Sequence, residues 1–127
     1  MPFLITNEIE KKIIYINELI RLNKFNELHT EGYLTESKPE DIKRVLVEHF
    51  NNDKNVSNLK KISPPSKEFI QCNAATFFIT PKKPDPSQWR IELNLIINDI
   101  ESDLTAIYYL DTSVSPEKVQ LYDLLIQ

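Results

Sequence analysis

The sequence predicts an α+β domain in which three N-terminal helices pack on a curved, cone-like antiparallel sheet of about four strands. Three observations predict it. Apolar residues recur at helical spacing up to about residue 50. They alternate with polar residues after about residue 69. Between the two halves lies a proline-punctuated connection. At 127 residues the chain forms one domain, residues 1–127, long enough to bury a core.

The first helix runs from about Asn7 to Leu22. Asn7 serves as the cap, with Glu10 three residues on, and Ile9, Ile13, Ile16 and Ile20 form one stripe. A short second helix, Lys24 to Thr30, turns Phe25 and Leu28 inwards and stops at Gly32, the only glycine. The third helix opens with the cap and proline of Ser37-Lys38-Pro39-Glu40. It buries Ile42, Val45, Leu46, His49 and Phe50, and it breaks at Asn51-Asn52-Asp53. A polar connection from Lys54 to Ser66 follows, with Leu59 and Ile62 as anchors and Pro64-Pro65 at its end.

The second half reads as strands: Phe69–Thr80, Trp89–Asn98, Leu104–Leu110 and Lys118–Ile126. In the second of these, Trp89, Ile91, Leu93, Leu95 and Ile97 alternate with Arg90, Glu92 and Asn94. Polar turns at Asp99–Asp103 and Asp111–Glu117 join antiparallel hairpins. A long amphipathic helix laid across a curved sheet gives a shape that resembles nuclear-transport-factor-like and cystatin-like domains in its order of elements.

Composition excludes several function classes. The net charge is -4, and the longest basic runs are Lys60-Lys61 and Lys82-Lys83, which argues against nucleic acid as a partner. One glycine cannot build a dinucleotide or phosphate loop, so no cofactor is expected. No apolar run reaches the length of a bilayer span, no signal peptide opens the chain, and the single cysteine makes no internal disulfide, so the expected address is cytoplasmic.

Few residues offer chemistry. His29 suits the carbonyl end of a helix, and His49 lies on a buried helix face; neither has a second ligand nearby, so no metal is expected. Cys72, in a strand, reads as a small buried hydrophobe. Asp99, Glu101 and Asp103 resemble the start of a calcium loop, but Leu104 and Leu110 stand where that loop needs glycine and glutamate. They therefore read as a hairpin turn that also offers an acidic tip to a basic partner. The third strand carries large residues on both faces: Leu104, Ala106, Tyr108 and Leu110 on one, Ile107 and Tyr109 on the other. An uncovered aromatic face is a binding surface.

Trp89 opening a strand, followed by Ser102-Asp103-Leu104-Thr105 entering the next, resembles a family of small bacterial proteins known as a domain of unknown function. The likeness spans about Ile13 to the C-terminus, and the last strand departs from it at Tyr122-Asp123-Leu124-Leu125. The resemblance implies the domain layout and a bacterial origin, and it supplies no catalytic residues.

These observations lead to a non-enzymatic protein-binding domain, of the kind exemplified by an immunity protein that neutralises a toxin. Its partner would be a basic protein met by Asp99, Glu101, Asp103 and Tyr109. The alternative is a domain that binds or transforms a small molecule in the mouth of the cone. A homodimer built through the sheet is a third.

Overall fold

A computed structural model describes residues 5–35, 39–50, 56–80 and 82–126. Among these residues, four α-helices and a curled five-stranded antiparallel sheet form a half-barrel. The helices are α1 (Asn7–Arg21), α2 (Phe25–Thr30), α3 (Pro39–His49) and α4 (Lys67–Asn73). The strands are β1 (Ile62–Ser63), β2 (Ala75–Phe78), β3 (Gln88–Ile97), β4 (Ile100–Asp111) and β5 (Lys118–Ile126). A 3-10 helix, Val56–Lys61, precedes β1.

The helix α1 forms as its stripe predicts: Ile9, Ile13, Ile16 and Ile20 are all fully buried. Its cap is Thr6 rather than Asn7. The Ile9 amide donates to Thr6 Oγ1 at 3.3 Å, so the helix starts one residue earlier than the acid spacing indicated. Asn23, at φ 60, ends α1, with the Lys24 amide donating to the Leu19 carbonyl at 2.8 Å. Gly32, at φ 80, ends α2 in the same way, with the Tyr33 amide donating to the Leu28 carbonyl at 2.8 Å. A Cβ at Gly32 would touch nothing within 4 Å, so its requirement is conformational rather than steric. Gly32→Ala is expected to lower stability by about 1 kcal/mol in denaturant titration, with no change in fold.

The reading of Phe69–Thr80 as one strand is corrected. Its first half is the helix α4, and only Ala75–Phe78 is extended. Ser66 sets this: its Oγ accepts the Phe69 amide at 3.0 Å and caps a helical turn immediately after Pro64-Pro65. Cys72 is corrected with it, because on α4 it is exposed rather than buried in a strand. The anchors Leu59 and Ile62 are buried as expected. The proposed Ser37 cap and the Asn51–Asp53 break lie outside the described residues.

In the sheet, β3 pairs with β4 along one side, while β1 and β2 share its other side. Beyond β4 lies β5. Ile91, Leu93 and Leu95 of β3 and Leu104, Ala106, Tyr108 and Leu110 of β4 face inwards and are buried. They join the buried side chains of all four helices in one core. Among the described residues Ile107 is the one buried hydrophobe outside that core, which places it on the opposite, outer face. The buried side chains of all four helices thus lie on one side of the sheet.

One polar pair is sunk in this core. Asn17 Nδ2 donates to the Ile13 carbonyl and to the Tyr108 hydroxyl, both at 2.8 Å. Burial raises the Tyr108 phenol well above its ordinary range, and the Asn17 contact opposes that only in part.

Candidate functional site

The outer face of the sheet is set by register. Opposite one another stand Arg90 and Tyr109, Glu92 and Ile107, and Asn94 and Thr105, with Ala75 and Phe77 of β2 beside Glu92 and Arg90. Tyr109 and Tyr122 stack there with centroids 4.3 Å apart and planes 9° from parallel. Phe77 is 48% exposed on the same face.

At the β3–β4 end the strands join through a two-residue turn. Asn98 and Asp99 have φ 54 and 62 between the paired Ile97 and Ile100, which is the left-handed pair that a tight hairpin of this hand requires. The predicted Asp99–Asp103 turn is therefore shorter. Only Asp99 sits in the turn, and Glu101 and Asp103 belong to β4.

The pairing then slips between Asn94 and Ile96, so that Ser102, Asp103 and Leu104 lie across from Leu95. Ser102 holds this bulge: its Oγ donates to the Leu95 carbonyl at 2.7 Å and accepts the Leu104 amide at 3.2 Å. The bulge adds two residues to β4, so Glu101 and Asp103 stay on the same face as Thr105. All three line a groove of about 470 Å³ on the outer face, together with Asn73, Ala75, Glu92 and Asn94.

Hydrogen bonds orient the groove. Thr105, itself buried, donates from Oγ1 to Asn94 Oδ1 at 2.6 Å. Asn94 Nδ2 then donates to Glu101 Oε2 at 2.8 Å. The amide is thus fixed with its donor side towards the carboxylate. Glu92 Oε2 is 3.0 Å from Arg90 Nε, although that N–H does not point at it, so the contact is an ion pair and not a hydrogen bond. Asp103 Oδ1 lies 3.7 Å from His49 Nδ1 on α3, with the Asp103 side chain 62% exposed.

Of the four residues that the sequence singled out, Glu101 and Asp103 line the groove. Asp99 stands at the hairpin tip, and Tyr109 lies farther along the same face, beyond Thr105 and Ile107. Sequence reasoning did not reach Asn94 and Thr105, whose role depends on cross-strand register, or Asn73, which α4 delivers. Among the described residues no group of three His, Cys, Asp or Glu side chains is placed to hold a metal ion. No helix among them is long and apolar enough to cross a membrane.

The groove can accept hydrogen bonds and positive charge through three carboxylates. Of its two side-chain amides, Asn94 is already committed to Glu101 and Asn73 to the Phe69 carbonyl of its own helix. Searches of protein-family models, curated proteins and solved structures find no significant match to this chain.

Proposed function

We propose that this chain is a non-enzymatic protein-binding domain whose outer sheet face receives a basic protein, the toxin domain neutralised by a bacterial immunity protein being the example that fits best. The observation that carries this is the groove: Glu92, Glu101 and Asp103 gather on the outer face of the sheet, across it from the core that the helices fill. Beside them lie Phe77, the Tyr109–Tyr122 stack and the hairpin tip, where Ile100 is 69% exposed. Acidic side chains around exposed aromatic and aliphatic groups make a surface suited to a cationic partner. On the inner side, the curl of the sheet is occupied by the isoleucines of α1 and by Tyr108, which favours a surface partner over a ligand in the cone. We place the protein in the cytoplasm, where its exposed thiol Cys72 would stay reduced.

Affinity capture from the native cell at low salt tests this reading. The wild-type chain is expected to retain a protein with a basic surface. The variant Glu101→Gln/Asp103→Asn is expected to bind it about tenfold or more weakly, and rising salt should weaken the wild-type complex. Recovery of the chain alone at low salt would overturn the proposal.

A further inference from the structure

The sheet has two outer edges, and the chain treats them differently. Along β5, the Leu121 amide donates to the Tyr33 carbonyl at 2.7 Å, and Gln120 Nε2 donates to the Gly32 carbonyl at 2.9 Å. The segment after α2 thus covers that edge. Along β2, β3 is the only strand that pairs with Ala75–Phe78 among the described residues. An edge left open presents a row of N–H and C=O groups to any incoming strand.

Two further features adjoin this edge. Phe77 and Phe78 are 48% and 36% exposed and flank it on opposite faces. Ala75, the first residue of β2, lines the acidic groove with Glu92, Glu101 and Asp103. An open edge and an acidic groove therefore meet at one residue.

We infer that β2 is the docking strand, and that the partner contributes an extended segment with lysine or arginine at alternate positions, which adds to the sheet beside Ala75–Phe78. This rests on the proposed reading of the outer face and names how the partner binds there. Alternate residues of a strand face the same way. A segment with cations at every second position turns them to the outer face of the sheet, where the one beside Ala75 stands nearest the groove, and leaves its other side chains beside Phe78. Main-chain hydrogen bonds supply affinity in such a mode, and the groove supplies the choice of charge. A second copy of this chain fits less well, because it would bring a second set of the same carboxylates to the shared edge.

A short synthetic peptide alternating lysine and valine tests this against the full chain, with a backbone N-methylated version of the peptide as control. N-methylation keeps the charge and removes the N–H groups that pair strands. The plain peptide is expected to bind and to slow amide exchange at Ala75–Phe78. The methylated peptide, and the plain peptide with Glu101→Gln/Asp103→Asn, are each expected to bind about tenfold more weakly.

Equal affinity for the two peptides, unchanged exchange at β2, or no peptide binding at all would overturn the docking mode. So would light scattering that shows a dimer of the free chain with its β2 amides already protected. If a basic protein is still captured from the cell in those cases, the docking mode alone fails. If none is captured, the assignment of the outer face falls as well.

Discussion

Replacing Ile13 with alanine is expected to lower the unfolding free energy by about 2–5 kcal/mol, the range for deleting a large aliphatic side chain from a packed core. Ile13 is fully buried at the middle of the stripe, between Ile9 and Ile16 on the same helix face. α1 is the helix that lies inside the curl of the sheet, so a cavity there removes contacts on both sides at once. Lys11, exposed on the same helix, provides the control: Lys11→Ala should stay within about 0.5 kcal/mol. Urea titration of the three proteins measures both. A loss below about 1 kcal/mol for Ile13→Ala would mean that α1 does not cover the sheet.

The second large effect concerns the polar pair in that core. Asn17→Ala is expected to cost about 1–3 kcal/mol, because it strands the Tyr108 hydroxyl without its partner in a site closed to water. Tyr108→Phe removes the hydroxyl itself and should cost less. The double variant should be more stable than the sum of the two losses, since the second substitution then has no bond to break.

The pair also predicts a pH dependence. Burial raises the folded-state pKa of Tyr108 above the unfolded value near 10. The folded protein therefore holds this proton more tightly than the unfolded chain. The contribution to stability is complete below about pH 10 and is lost as pH rises from there towards the folded pKa, by up to about 1.4 kcal/mol per pH unit. Tyr108→Phe should flatten that alkaline loss. Some slope will remain from Tyr33, which burial and then Glu31 also raise. Urea titrations at pH 9, 10 and 11, set by the experimenter and spanning about the unfolded value, measure the difference.

How far the sequence announces this structure depends on the range of the interaction concerned. The α1 stripe and the β3 alternation are legible because one face of each buries apolar residues at a fixed period, and both appear where the pattern puts them. β4 does not announce its inward set in that way, because it carries large residues on both faces and residues 104–108 are all buried. Residues 67–73 misled because Phe69, Ile70 and Cys72 have strand-like composition. The deciding signal was the serine after the two prolines, whose side chain caps a helix before any strand can start.

The candidate site divides in the same way. An acidic cluster around Glu101 and Asp103 stands out in the sequence as a local run of charge. Its geometry does not, because the bulge at Ser102–Leu104 and the Thr105–Asn94–Glu101 chain of hydrogen bonds exist only once β3 and β4 are in register. Asp99 belongs to the same run, yet its left-handed conformation in the tight turn puts it at the tip rather than in the groove.

Carboxylate footprinting of the chain, free and bound to the basic protein it captures, tests the claim about the outer face most directly. Binding should cut chemical modification of Glu101 and Asp103 several-fold and leave Glu27 and Glu48, exposed on α2 and α3, unchanged. Unchanged labelling at Glu101 and Asp103, with protection on the helices instead, would place the partner on the other side of the molecule.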